Sequence, residues 1–158
     1  MSNLHASEVK PTRDDYFDKF IDLRTKVYTY IDQDFGPSRK VNPDGAQNTS
    51  YWMIEKVRNR IDDTMADMLT CIVQARSIWI TNLYDYNERR RYINKAIGDC
   101  QVAIQEIQFA IRTLGVKPGK YLNLVDDFET QVSSLRNWRT SDNTIKNKMM
   151  KEKQGLSL

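Results

Sequence analysis

The sequence predicts an all-α protein folded as an antiparallel up-down-up-down four-helix bundle. Three observations favour this fold class. The 158 residues include only six glycines and four prolines, so few positions interrupt a long helix. Apolar residues recur at steps of three and four in successive segments, which is the spacing of one helix face. Hydrophobic residues make up 40% of the chain, enough for a single domain with a buried core.

The first predicted helix covers about residues 13–35. One apolar stripe defines it: Phe20, Leu23, Val27 and Ile31. Asp14 and Asp15 place negative charge in its first turn, where such charge complements the helix dipole. Residues 1–11 lack the apolar stretch of a secretory signal, and we expect a flexible N-terminus there.

The second predicted helix covers about residues 50–83. Its apolar stripe steps by three and four throughout: Ile54, Val57, Ile61, Met65, Met68, Ile72, Ala75 and Trp79. We expect it to end near Asn82, Asp85 and Asn87, because these side chains bond to nearby backbone groups in competition with a helix.

The third predicted helix, about residues 88–114, has the most regular pattern in the chain. Two adjacent stripes widen its apolar face: Ile93, Ile97, Cys100, Ile104, Ile107, Ile111 and Leu114, and beside them Ala96, Ala103 and Ala110. The small alanines allow a neighbouring helix to approach closely. We therefore expect this helix to lie in the middle of the bundle.

The fourth predicted helix covers about residues 120–139, and the bundle as a whole covers residues 12–140. Its apolar face comprises Tyr121, Val125, Phe128, Val132, Leu135 and Trp138. Residues 141–158 are basic and show little apolar periodicity. We expect this tail to be disordered, or to become ordered on a partner.

The sequence gives little support for catalysis. His5 is the single histidine, so no histidine-based triad or metal site can form within one chain. The adjacent carboxylates, such as Asp62 and Asp63, point about 100° apart on a helix and are typical of solvated faces. We expect a non-enzymatic protein without a cofactor or a metal.

The two cysteines and the apolar runs indicate a cytoplasmic protein. Cys71 and Cys100 lie in apolar stripes and lack the spacing of zinc ligands, so we expect buried free thiols. No apolar run reaches the length of about 18 residues that a transmembrane helix needs. We therefore expect no membrane association.

Charge is distributed unevenly along the chain. Lysine and arginine number 24 and aspartate and glutamate 21, a net charge of +3 that permits nucleic-acid binding without requiring it. Residues 1–86 hold 11 basic and 13 acidic side chains, whereas residues 87–158 hold 13 and 8. All net positive charge therefore lies in the second half.

The basic residues of this half are the candidate nucleic-acid or partner contacts. Arg89, Arg90, Arg91 and Lys95 open the predicted third helix, where positive charge opposes the helix dipole and indicates an outside ligand such as phosphate. The alternative is that Glu88 caps this end and the arginines pair with Asp85 or with a neighbouring helix. The other candidates are Arg112, Lys117, Lys120, Arg136 and Arg139.

Aromatic and apolar residues off the main stripes provide further candidates. Trp52, Trp79, Tyr84, Tyr86, Tyr92 and Trp138 lie near helix ends or basic segments. We expect most of them in the core, and any exposed ones to stack on bases or anchor a subunit contact. Val102 and Phe109 fall off the stripes of the third helix, which favours a homo-oligomer.

Several segments together carry a resemblance to a known family. They are the basic stretch Glu88–Gly98 (ERRRYINKAIG), its continuation through Ile107 and Ala110 to Leu114-Gly115, and the segment from Leu122 to Leu135. These segments resemble the four-helix-bundle proteins encoded in ribosomal RNA intervening sequences, and their relatives, the accessory variability proteins of diversity-generating retroelements. The resemblance covers roughly residues 20–139.

The resemblance implies a homopentamer of four-helix bundles that binds RNA or DNA and a reverse transcriptase. Arg89, Arg90, Arg91 and Lys95 would then contact nucleic acid or the partner. The expected function is that of a non-enzymatic, oligomeric scaffold that supports mutagenic cDNA synthesis by a diversity-generating retroelement. The alternative is a structural or protein-interaction bundle of a phage or mobile element that does not bind nucleic acid.

Overall fold

The computed structural model describes residues 13–35, 51–113 and 118–155, and these form four helices. The helices are α1 (Arg13–Phe35), α2 (Tyr51–Ser77), α3 (Leu83–Thr113) and α4 (Pro118–Gly155). The described ranges contain no strand, so the predicted all-α fold of four helices is confirmed. The predictions for residues 1–12, 36–50, 114–117 and 156–158, which include Lys117, lie outside the described residues.

Each helix packs against two others, and the contacts α1–α2, α2–α3, α3–α4 and α4–α1 close a ring. Neighbouring helices are antiparallel. On α1 and α4, Tyr16 stacks on Trp138 with ring centroids 5.1 Å apart, whereas Asp34, late in α1, contacts Lys120, early in α4. Paired contacts show the same reversal between the other neighbouring helices. They are Asp14–Arg76 and Tyr28–Asp62 for α1 and α2, Arg60–Glu106 and Met68–Cys100 for α2 and α3, and Arg89–Asp142 and Asn94–Arg139 for α3 and α4.

The core lies between the predicted apolar stripes. On α3 the alanine stripe is the more deeply buried one, since Ala96, Ala103 and Ala110 are inaccessible while Ile97 and Ile111 are half-buried. α3 approaches α2 and α4 more closely along its length than α1 approaches its own neighbours. Small side chains at the contact explain this closeness, because they let two helix backbones come together.

The boundary between α2 and α3 differs from the prediction. α2 ends at Ser77 rather than near 83, and α3 begins at Leu83 rather than near 88. Asn82 caps α3 by accepting a hydrogen bond from the Asp85 N–H (3.0 Å), and the Asp85 carboxylate accepts from the N–H and hydroxyl of Thr81. The hydrogen bonds that the Asp85 carboxylate accepts, from the Thr81 hydroxyl first and then from the Thr81 N–H, lower the pKa of Asp85. Residues interpreted as the end of one helix therefore begin the next.

Because α3 begins at Leu83, the three arginines Arg89, Arg90 and Arg91 do not lie at the N-terminus of the helix. Arg89 is the seventh residue of α3, and the acidic residue of the first turn is Asp85. The dipole effect falls off within the first turn of a helix. The prediction that the arginines oppose the helix dipole, and so indicate an outside ligand, is therefore wrong.

α4 is longer than predicted. The expected end near residue 139 and the expected disorder of the tail are wrong for residues 141–155, which continue α4 to Gly155. Asp142 is buried against α3, and Asn143 accepts hydrogen bonds from Tyr86 and Arg90. These contacts are polar, so they leave no apolar periodicity in the sequence. None of the described helices combines the length and apolarity needed to cross a membrane.

Candidate nucleic-acid interface

The structure separates the predicted basic residues into four locations. Arg89 is buried inside the bundle. Arg90 and Arg139 lie along the junction of α3 and α4, and the helical spacing puts Arg136 on the same side of α4 as Arg139, while Arg91 and Lys95 lie on the side of α3 that faces α2. Arg112 and Lys120 lie at the opposite end of the α3–α4 pair. The candidates therefore do not form one patch.

Arg89 is a structural residue. Its side chain is only 4% exposed, and its guanidinium donates through Nε and Nη2 to the two carboxylate oxygens of Asp142, at 2.9 and 2.6 Å. Its Nη1 donates to the backbone carbonyl of Ile78 at 3.0 Å. The prediction that Arg89 contacts nucleic acid is corrected, because its donors are directed into the protein. The alternative interpretation, pairing with a neighbouring helix, describes this residue.

A connected set of exposed and half-buried polar residues follows the α3–α4 junction. We call it the basic seam, and define it as Arg90, Asn94, Arg136, Arg139, Asn143 and Lys146. Arg139 donates to the Asn94 side-chain oxygen, and Arg90 donates to that of Asn143, both at 2.9 Å. The Lys146 ammonium lies 5.2 Å from the centre of the Tyr86 ring, and the Arg90 guanidinium lies 5.9 Å from it. These contacts hold Arg90 of α3 and Arg139 and Lys146 of α4 at the junction of the two helices.

The spacing of α4 puts its members of the seam on one side of the helix. Arg136, Arg139, Asn143 and Lys146 follow one another at steps of three and four. At about 1.5 Å per residue they extend over roughly 15 Å. Asn143 and Lys146 were not among the predicted candidates, because the fourth helix was predicted to end near residue 139. The spacing of three and four nevertheless continues beyond that residue.

Carboxylates are scarce beside the seam. Between Glu129 and Glu152 of α4 the single acidic residue is Asp142, which is buried and paired with Arg89. On α3 no acidic residue occurs between Glu88 and Asp99. The seam therefore has a positive electrostatic potential that acidic neighbours on its own helices do not cancel.

Arg91 and Lys95 are in a more balanced environment. Arg91 pairs with Glu88 at 2.9 Å, and this hydrogen bond raises the pKa of the guanidinium. Lys95 lies near the carboxylate of Asp99, between α2 and α3. This side of α3 therefore offers less uncompensated positive charge than the basic seam.

The basic residues at the other end of the bundle are also partly engaged. The Lys120 ammonium donates to Gln33 at 2.8 Å and to Asp34 at 3.2 Å, and it lies 4.3 Å from the centre of the Tyr30 ring. Arg112 is exposed in the last turn of α3. This cluster attaches α4 to α1 and is remote from the basic seam.

The aromatic candidates divide between core and surface. Tyr86 and Trp138 are buried and Tyr92 is half-buried, so the expectation that most of the group lies in the core is wrong. Trp79 and Tyr84 are 74% and 72% exposed, and Trp52 is also exposed. Trp79 lies in the α2–α3 connection and Tyr84 lies in the first turn of α3, at the bundle end where the basic seam terminates.

The cysteines do not contribute to a reactive site. Cys71 and Cys100 are free and buried, as predicted. Burial raises the pKa of both thiols, that of Cys100 to about 12. Within residues 13–35, 51–113 and 118–155, no three histidine, cysteine or acidic side chains lie close enough to hold a metal ion.

Comparison with protein-family models, with curated proteins and with solved structures finds no match to this chain.

Proposed function

We propose that this protein binds nucleic acid through the basic seam and acts as a non-enzymatic accessory protein of a reverse transcriptase. The observation that supports the proposal is the line of cations along the α3–α4 junction, where the one acidic residue of α4 between Glu129 and Glu152 is sequestered in the core. Arginine side chains bind phosphate with forked, charge-assisted hydrogen bonds. The cations of the basic seam can therefore form hydrogen bonds and ion pairs with the phosphates of a nucleic-acid backbone.

The dimensions of the seam fit a short stretch of backbone. A length of roughly 15 Å corresponds to about four nucleotides at the rise of one strand of a duplex. The neighbouring amides Asn94 and Asn143 accept hydrogen bonds from Arg139 and Arg90, and so orient both guanidinium groups. Prior orientation reduces the entropy lost on binding.

The partner and the assembly are proposed on the family resemblance. The reverse transcriptase would be that of a diversity-generating retroelement, and the nucleic acid would be its template RNA, its cDNA or both, in the cytoplasm. A homopentamer would present five basic seams on one particle, and several linked sites raise the overall affinity for a long strand. Exposed Phe109 and Leu122 provide apolar surface for contacts between copies.

Fluorescence anisotropy with labelled RNA and DNA tests the proposal. The triple variant Arg136→Gln/Arg139→Gln/Lys146→Gln should weaken binding at low salt. It should also flatten the dependence of affinity on salt, by up to roughly 0.7 to 0.9 in the logarithmic slope for each phosphate that the variant no longer neutralises. A matched control, Lys19→Gln/Lys56→Gln/Arg112→Gln, removes the same charge from α1, α2 and the far end of α3.

The control variant distinguishes binding at the basic seam from attraction by the overall charge of the protein. Equal losses of affinity for the two triple variants would contradict the basic seam as the site, and absence of binding by the wild type at low salt would contradict nucleic-acid binding altogether. Circular dichroism of each variant verifies the helical fold. Co-purification with the reverse transcriptase encoded nearest to the gene tests the partner separately.

A second candidate function is a structural or protein-interaction bundle without nucleic acid. The exposed apolar residues Phe109 and Leu122, at the end of α3 and the start of α4, favour a protein contact there. This function predicts a stable oligomer whose molar mass is insensitive to the basic-seam substitutions. Light scattering of the wild type and of the seam variant distinguishes the two candidates when it is combined with the anisotropy data.

A further inference from the structure

The end of the bundle beside the basic seam exposes two aromatic rings. Trp79 lies between α2 and α3, and Tyr84 lies in the first turn of α3. Among the large hydrophobic side chains of the described residues, these two are the most exposed, at 74% and 72%. Most of the surface of each ring is therefore in contact with solvent rather than with the core.

The backbone that carries the rings is fixed by hydrogen bonds. The Asp85 carboxylate accepts from the backbone and hydroxyl of Thr81 and, at 2.9 Å, from the Asn82 amide, while the Asp85 N–H donates to Asn82. Arg89 donates to the carbonyl of Ile78, the residue before Trp79. Both rings therefore project from an ordered segment, which limits the entropy cost of stacking.

A cavity of about 200 Å³ opens at the same bundle end, between the α2–α3 connection and the last turns of α4. Leu83, Met149 and Met150 supply apolar lining, and Lys146 and Lys153 supply ammonium groups. Glu152 is the one carboxylate among its lining residues. Lys146 belongs to both the cavity and the basic seam, so the two surfaces are continuous.

We propose that Trp79 and Tyr84 stack on unpaired bases, so that this bundle end selects single-stranded over duplex nucleic acid. The inference rests on the proposed function, because the basic seam would hold the phosphates that lead to the rings. Aromatic rings beside a basic track are the combination by which proteins bind single strands without reading their sequence. Stacked and paired bases inside a duplex do not offer their faces to such rings.

Charge favours this ligand over an apolar protein segment. Lys146, Lys148, Lys151 and Lys153 lie in the last turns of α4, and Lys146 and Lys153 line the cavity beside the α2–α3 connection, with Glu152 as the one acidic residue between positions 143 and 155. A hydrophobic partner helix would have to bury or displace these ammonium groups, whereas a polyanion is attracted by them. The occupant that fits both the rings and the lysines is therefore a single strand.

The experiment compares single-stranded and duplex ligands of equal length. Labelled oligo(U), oligo(dT) and a blunt DNA duplex are titrated with the wild type, Trp79→Ala/Tyr84→Ala, and the control Trp52→Ala, which removes an exposed ring elsewhere. The Trp79/Tyr84 variant should bind the single strands about five-fold or more weakly for each ring removed, with duplex affinity unchanged. Trp79→Phe should retain most of the wild-type affinity for single strands.

Tryptophan fluorescence provides an independent readout. In a Trp52→Phe background the remaining tryptophans are Trp79 and the buried Trp138, so oligo(dT) should quench mainly Trp79. The quenching should disappear in Trp52→Phe/Trp79→Phe while binding persists. Absence of quenching in the protein that retains Trp79, despite measurable binding, would overturn the stacking contact.

The outcomes separate this inference from the proposed function. If the basic-seam variant loses binding while Trp79→Ala/Tyr84→Ala binds single strands like the wild type, the inference is overturned and the proposed function stands. If Trp79→Ala/Tyr84→Ala loses as much affinity for the duplex as for single strands, the proposed selectivity for single strands is also overturned. If the wild type binds neither form at low salt, the proposed function fails and the inference fails with it.

Discussion

Arg89 of α3 and Asp142 of α4 form a two-point ion pair that is almost completely buried, with the residues at 3% and 2% exposure. The third hydrogen bond of the guanidinium, to the carbonyl of Ile78, connects this pair to the segment between α2 and α3. Three parts of the chain thus meet at one arginine. Because each buried charge is compensated by the other, removal of one partner leaves a charge without hydration or compensation.

Asp142→Ala should destabilise the protein by about 3–5 kcal/mol, the cost of one uncompensated buried charge. Urea denaturation followed by circular dichroism measures the decrease in stability. The matched control is Asp127→Ala, which breaks the partly exposed pair of Asp127 with Lys26 and should cost at most about 1 kcal/mol. Similar decreases in the two variants would contradict the structural role of the buried pair.

Removal of residues 141–158 should also destabilise the bundle. The truncation takes away Asp142 and Asn143, the α4 partners of Arg89, Tyr86 and Arg90. A second truncation, after Lys151, keeps both residues and should retain most of the stability. Thermal unfolding of the two proteins checks the prediction, and equal melting temperatures for wild type and the longer deletion would contradict it.

The fold was predictable because helix bundles encode their core in periodicity. For α1 the apolar stripe predicts the buried residues Phe20, Leu23, Val27 and Ile31, and the turn signals at its two ends predict the bounds 13–35. Boundaries set by polar side chains were less predictable. Asn82 and Asp85 favour local hydrogen bonds, and such bonds are compatible with the end of one helix or with the start of another.

The site was predictable only in part, because its residues depend on pairings between distant segments. The sequence identifies Arg89, Arg90 and Arg91 as a cluster, but only the position of Asp142, 53 residues later, assigns Arg89 to the core. Because Asp142 lies in a segment predicted to be a disordered tail, the sequence alone does not pair it with Arg89. Apolar periodicity does not detect a segment that is held by an ion pair and by amide hydrogen bonds.

Asp99 should make the stability depend on pH. Burial, and then the charge of Asp67, raise the pKa of its carboxyl, whereas Lys95 and Cys71 act in the opposite direction. The native state therefore retains the Asp99 proton to a higher pH than the unfolded chain. Since the native state binds more protons in that interval, the free energy of unfolding falls as pH rises from the ordinary carboxyl pKa to the raised value.

Asp99→Asn should consequently stabilise the protein at neutral pH, and the gain should diminish as pH falls toward the ordinary carboxyl pKa of about 4. Urea denaturation at several pH values measures this difference. Asp63→Asn, which alters an exposed carboxylate on α2, is the control. A stabilisation by Asp99→Asn that stays constant across the pH range would contradict the linkage.

The buried thiols should resist alkylation in the native state. Burial raises the pKa of Cys100 to about 12, and its Sγ lies 3.6 Å from the sulfur of Met68. Since iodoacetamide reacts with the thiolate, mass spectrometry at about pH 8 should find neither cysteine labelled in the folded protein and both labelled in urea. Cys71→Ala isolates the behaviour of Cys100. Labelling of the folded protein at the rate of the unfolded chain would contradict their burial.

Ile107→Ala and Phe109→Ala, at neighbouring positions of α3, should affect different properties. The first should lower the stability of the bundle, and the second should affect its assembly into an oligomer. Ile107 is buried, so Ile107→Ala should cost about 2–5 kcal/mol in urea denaturation, through reduced apolar burial and a residual cavity. Phe109 is 46% exposed, and Phe109→Ala should change the stability of the isolated bundle by about 0.5 kcal/mol or less. If Phe109 anchors an interface between copies, its removal should instead lower the molar mass measured by light scattering at fixed concentration. An oligomer of unchanged mass in Phe109→Ala would place the interface elsewhere, because an exposed ring at its centre would contribute strongly to association.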